Sequence, residues 1–192
     1  MSFVVILLVA LTGTMAFGQP IQEEATTGRP ENAVRPLYSR VRSDDRYVIA
    51  LIRKGYDGSV AFRELVDTIQ RSNVIVFVQP GLCAGGRIRS CLIAVAGSEH
   101  DRHIRIRLDP QHTVENGLIA AAAHELQHAV ELVEHPDVVD GGTLQALYRR
   151  IASGRCGQGL SEECETERAL LTERTVFREL QRPERHNPTR QW

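Results

Sequence analysis

The stretch that most constrains how this chain can fold runs from Asn116 to Glu134, N-G-L-I-A-A-A-A-H-E-L-Q-H-A-V-E-L-V-E. At about 100° per residue, Leu118, Ile119, Ala122, Leu126, Ala129, Val130 and Val133 fall within an arc of roughly 120°, so the segment reads as one amphipathic helix. His124 and His128 lie nearly opposite that arc. They are four residues apart, so both imidazoles leave the same face and can grip a single ion. Glu125, about 100° round from His124, sits where a carboxylate can reach a water on that ion without being a ligand. The plain alternative is a surface helix with two solvated histidines. Ala120, Ala121 and Ala123 argue against it, because they keep long charged side chains away from His124, as a face covered by other structure requires.

Around this helix the rest of the chain supplies a sheet and further helices. Asp44–Lys54 reads as a short helix ending before Gly55, and Ser59 stands where an N-cap would open a second over 60–71, with Phe62, Leu65, Val66 and Ile69 at core spacing. V-I-V-F-V-Q at 74–79 is a strand stopped by Pro80-Gly81, and L-I-A-V-A at 92–96 is another. H-I-R-I-R-L at 103–108 alternates, with Ile104, Ile106 and Leu108 on one side and His103, Arg105 and Arg107 on the other; that charged face would protect an edge strand from foreign pairing. Thr113 can cap the central helix and His135-Pro136 stops it. A helix over 143–152 follows, then one capped by Ser161 that runs to about Leu180 with Glu162 and Glu163 in its first turn. The expected fold is therefore α+β: about three strands packed on one side of the central helix, with helices on the other.

The ends and the cysteines speak to compartment. Residues 1–18 carry no charged side chain and place Ala16 and Gly18 where a signal peptidase cuts, so we expect a secretory signal peptide and a secreted or periplasmic protein. An uncleaved anchor is the competing reading, disfavoured because the apolar run is shorter than the ~20 residues a span needs. Residues 19–43 read as a flexible leader, 44–182 as the folded domain and 183–192 as a loose tail. Cys83 and Cys91, and Cys156 and Cys164, each bracket seven residues rich in glycine; locality favours two disulfides, 83–91 and 156–164, and the spacers do not suit a four-Cys zinc site. A net charge of −1 with both signs interspersed gives no reason to expect nucleic acid or a membrane surface as partner.

Two histidines need at least one more protein ligand if a position is to stay open for water. The continuation H-x-x-G-x-x-H fails, since Glu131 and Glu134 stand at its Gly and His positions. On the last helix Glu165 shares a stripe with Ala169, Thr172, Val176 and Leu180, and so points inward, whereas Glu163 and Glu167 fall off that stripe. An inward carboxylate needs a cation, which is either the metal or an arginine.

H-E-L-Q-H at His124–His128, followed by E-T-E-R-A at Glu165–Ala169, resembles the gluzincin class of zinc metallopeptidases, and more narrowly short secreted bacterial proteins that carry H-E-L-Q-H. The resemblance covers about residues 60–180. It implies Zn²⁺ held by His124, His128 and Glu165, Glu125 as the catalytic carboxylate, and a peptide or protein as substrate. It also implies a His or Tyr that steadies the oxyanion, for which Tyr148, His100, His112 and His135 are candidates. The rival expectation is a non-catalytic exported module in which the metal only staples the fold or is absent; the chain's small size favours it, because no second domain forms the far wall of a cleft.

Overall fold

The computed structural model describes residues 39–83, 89–111, 114–153 and 164–182. The expected signal peptide, most of the leader, Thr113, His112, Cys156, Ser161 to Glu163 and the tail lie outside the described residues. The elements in chain order are β1 (Val41–Arg42), α1 (Arg46–Gly58), α2 (Val60–Gln70), β2 (Val74–Pro80), β3 (Ser90–Ser98), β4 (Asp101–Leu108), α3 (Glu115–Glu134), α4 (Gly141–Ile151) and α5 (Glu167–Gln181). The fold is α+β, as expected, built on a four-stranded mixed sheet of order β1-β2-β4-β3.

Three details of the sheet depart from the expectation. The end of the supposed leader forms β1, which pairs in parallel with β2 and buries Val41 in the core, so the ordered chain begins before Asp44. Strand β4 is internal, parallel to β2 and antiparallel to β3, so its arginine face does not guard an edge. The edges belong to the short β1 and to β3, which carries a bulge between Leu92 and Ala94. Ser90 and Leu92 point to the core before the bulge and Val95 after it, because the extra residue shifts the two-residue period by one. The bulge thus decides that Ser90 faces the helix layer.

Helix α3 lies at the centre of that layer. Every residue from Gly117 to Leu132 is buried, the polar ones included, because α1, α2, α5 and the sheet all pack against it. The apolar arc meets the core formed with Ile104, Ile106 and Phe62, and the histidine face is covered by α5, with Tyr148 of α4 against His128. Helix α1 does not end before Gly55: it continues to Gly58, and Gly55 is buried where a Cβ would lie 2.9 Å from both the Ile119 and Phe62 side chains. Glycine there is a packing requirement that outweighs its low helix propensity. Ser59 caps α2 as expected, accepting from Phe62 N, and its hydroxyl donates to Glu179 of α5. That carboxylate also accepts from Ala61 N, a favourable anion at a helix N-terminus that ties α5 to α2.

Arg102 holds the C-terminal end of α3. It is 1% exposed, and its guanidinium donates to the carbonyls of Leu132 and His135 and to Asn73 Oδ1. A cation at the carbonyl end of a helix is the arrangement its dipole favours. Burial lowers the Arg102 pKa, and the nearby Asp137 raises it again.

Among the described cysteines, Cys83 and Cys91 form a disulfide, the first expected pairing. Cys164 is also disulfide-bonded; Cys156, the partner that locality assigned to it, lies outside the described residues. No helix among the described residues is long and apolar enough to cross a membrane.

Candidate metal centre

The helical spacing of His124 and His128 brings their imidazoles together edge to face, with ring centroids 4.9 Å apart. Their Nε2 atoms are 3.2 Å apart. Glu165 Oε2 lies 2.8 Å from His124 Nε2, and ligand atoms of these three residues all fall within 4.8 Å of one another. The cluster could hold a metal ion. Two imidazole nitrogens at 3.2 Å match the edge of a tetrahedron with metal–nitrogen bonds of ~2.0 Å, and two nitrogens with one carboxylate are a donor set that divalent transition metals accept.

Glu165 arrives by a different route from the one expected. It is not on a helical stripe: α5 begins at Glu167 with Thr166, in extended conformation, as its N-cap, so Glu165 precedes the helix in chain without regular secondary structure. Its side chain is 52% exposed, which leaves that side of the cluster open to solvent. Ala169 and Val176 are the buried positions of the expected stripe, and Glu167 is exposed in the first turn.

Each histidine has its other nitrogen turned toward a second carboxylate. His128 Nδ1 is 2.9 Å from Glu131 Oε2, and His124 Nδ1 is 3.3 Å from Glu173 Oε2, close but off the line of a hydrogen bond. This is how metal-binding imidazoles are generally oriented, with the outward nitrogen backed by an acceptor so that the inward one keeps its lone pair. Glu173 in turn receives a 2.8 Å hydrogen bond from Arg89. Neither Glu131 nor Glu173 is a candidate on sequence grounds, although Glu131 sits three residues after His128 and so on the same face of α3.

Glu125 is buried, and its carboxylate accepts a 2.8 Å hydrogen bond from Ser90 Oγ at the start of β3. Of the four oxyanion candidates, Tyr148 is the one placed at the cluster. Its ring lies edge to face on His128 at 5.2 Å, and its buried hydroxyl has no hydrogen-bond partner among the described residues. His100 is exposed in the β3–β4 turn, His135 ends α3, and His112 lies outside the described residues.

The charges are coupled. Burial would depress the His124 imidazole, but the close Glu165 and Glu173 carboxylates and the field of Glu125 outweigh it, so its pKa is raised to about 10. The same contacts with His124 lower the Glu165 and Glu173 carboxyls. Burial raises the Glu125 pKa, against the fields of His128 and His124 and the Ser90 hydrogen bond. Tyr148 is pushed well up by burial and then by the Glu131, Glu125 and Glu165 carboxylates. The His124 imidazole and the Glu165 and Glu173 carboxyls are each held toward their charged forms.

No family model matches the chain, and no curated protein or solved structure matches it either.

Proposed function

We propose that the protein is a secreted zinc-dependent peptidase. The observation that carries this reading is the convergence of His124 Nε2, His128 Nε2 and Glu165 Oε2 beside a buried Glu125 that is not one of the three. Zinc bound by these residues would acidify a water and polarise a substrate carbonyl. Glu125, with its pKa raised by burial, takes a proton from the water that attacks the carbonyl carbon and delivers it to the departing amine as the C–N bond breaks. Ser90 fixes which way the Glu125 carboxylate faces. The unpartnered Tyr148 hydroxyl, beside His128, is the donor available for the carbonyl oxygen as it gains charge. Strand β3 has no neighbour on its outer side among the described residues, and a peptide in extended form can pair there. The disulfides support an oxidising compartment, consistent with export by residues 1–18.

The rival reading is a metal-stapled or metal-free exported module without catalysis. Elemental analysis of the purified protein with a peptide-library cleavage assay separates the two. The expected result is about one zinc per chain, with cleavage abolished by chelation; Glu125→Gln keeps its zinc and loses ~10²–10⁴-fold in kcat. Zinc without cleavage in the native protein establishes the staple, and cleavage that survives Glu125→Gln removes Glu125 from the role given to it.

A further inference from the structure

Glu131 is a carboxylate buried in the middle of the fold, 2% exposed, and it is none of the ligands. A buried carboxylate without partners is costly, and both oxygens of this one are engaged. Oε2 meets His128 Nδ1 at 2.9 Å, and Oε1 accepts from Thr166 Oγ1 at 2.5 Å. Thr166 is the residue after Glu165, and its hydroxyl oxygen also accepts from Ala169 N, which makes it the N-cap of α5. A single side chain therefore touches one proposed metal ligand and the chain neighbour of another. The two ligands lie 37 positions apart (His128 and Glu165), and among the described residues no backbone hydrogen bond joins α3 to residues 164–166.

Building on the metal-site reading above, we infer that Glu131 is a positioning residue that couples the two halves of the ligand set. It holds the Nδ1 proton of His128 so that Nε2 faces the metal, and through Thr166 it fixes where the segment before α5 leaves Glu165. Without it His128 can turn or change tautomer, and the Glu165 segment loses this tie to α3, keeping the disulfide at Cys164 and the bonds from Ser153, whose backbone N and hydroxyl both donate to the Glu165 carbonyl. Thr166 is thereby given two tasks, a helix cap and a latch.

The test compares the full chain with Glu131→Gln, Thr166→Val and Thr166→Ser. Zinc affinity is read by competition with a chromogenic chelator, geometry from the visible spectrum of the Co²⁺-substituted protein, and folding from thermal unfolding of the metal-free forms. Glu131→Gln is expected to weaken zinc about 10–100-fold, the usual loss when the partner of a metal-bound histidine is removed, and to alter the Co²⁺ spectrum. Thr166→Val should also lose affinity, and Thr166→Ser, which keeps the hydroxyl, should restore it. If Glu131→Gln lowers the unfolding midpoint but its folded form binds zinc as tightly as native and gives the native spectrum, the residue is merely structural and the inference is overturned, with the metal-site reading intact. Should Glu131→Gln not fold, the threonine pair decides: native affinity in a folded Thr166→Val overturns the coupling, and a tenfold loss rescued by serine supports it. A native chain that binds neither Zn²⁺ nor Co²⁺ overturns both this inference and the reading beneath it.

Discussion

Replacing Arg102 by methionine tests what keeps α3, and with it the histidine pair, in place. The guanidinium donates to Leu132 O at 2.5 Å, His135 O at 2.8 Å and Asn73 Oδ1 at 2.8 Å, in a pocket that leaves the residue 1% exposed. Hydrogen bonds from a charged donor contribute about 1.5–3 kcal/mol each, but ending the burial of the charge returns part of that sum. Methionine keeps most of the stem's packing and supplies no donor. It leaves Asn73 Oδ1 without its donor, at about 1–3 kcal/mol, while the Leu132 and His135 carbonyls keep the bonds from His135 N and Val138 N. The cation also leaves the carbonyl end of α3, where the dipole made it favourable by up to ~2 kcal/mol. After the offset the expected loss is about 3–4 kcal/mol, a large share of the ~5–15 kcal/mol typical of a domain. Urea unfolding followed by circular dichroism reads this as a lower midpoint at unchanged slope. A midpoint within about 1 kcal/mol of native would refute the claim that this buried charge anchors the helix, and would place the stability of that end in the apolar contacts alone.

The metal-free protein should be most stable near pH 5–6. A raised His124 pKa contributes stability that is complete below ~6.5 and is lost as the pH climbs through about 10. The lowered Glu165 and Glu173 carboxyls contribute above ~4.5 and lose it as the pH falls through their folded values. Thermal midpoints in chelator from pH 4 to 10 check this, and saturating zinc should flatten the alkaline decline. Ser90→Ala removes a hydrogen bond that favours ionised Glu125, so the acid limb of any peptidase activity should move to higher pH with zinc content unchanged. Gly55→Ala gains about 1 kcal/mol of helix propensity but must move Ile119 or Phe62, and overpacking costs about 1–3 kcal/mol, so a net loss near 1 kcal/mol is expected in the unfolding midpoint.

Much of this could be read from the residues because it is local. Ser59 as a cap, the β-branched strand at 74–79, the short Cys83–Cys91 loop and the same-face histidines each follow from spacing of a few positions. What escaped depends on pairing across the chain. Alternation in 103–108, carried back one position, puts Arg102 on the core side with Ile104, yet an arginine there makes sense only once the end of α3 is known to lie against it. The bulge in β3 decides that Ser90 faces Glu125, and the sequence L-I-A-V-A carries no mark of it. Glu165 was singled out from a helical stripe that does not include it. Its true determinant is Thr166, which caps the helix beginning at Glu167 and leaves Glu165 outside it.

A small domain can assemble such a cluster without a second lobe because α3 is buried on every side. A helix with one solvent face could offer only ligands from its own turns. Here α5 runs along the histidine face and brings Glu173, the segment before it brings Glu165, the start of β3 brings Arg89 and Ser90, and α4 brings Tyr148. Such convergence has an electrostatic cost: buried Glu125 and Glu131, partly buried Glu173 and the solvent-facing Glu165 crowd two imidazoles, and neighbouring anions destabilise one another unless cations intervene. The cationic groups beside them are the His124 imidazole, whose pKa is raised, and the Arg89 guanidinium on Glu173. A divalent ion at the Nε2 atoms would be a stronger counter-charge than an imidazolium, and its binding would then stabilise the packing of α3 against α5.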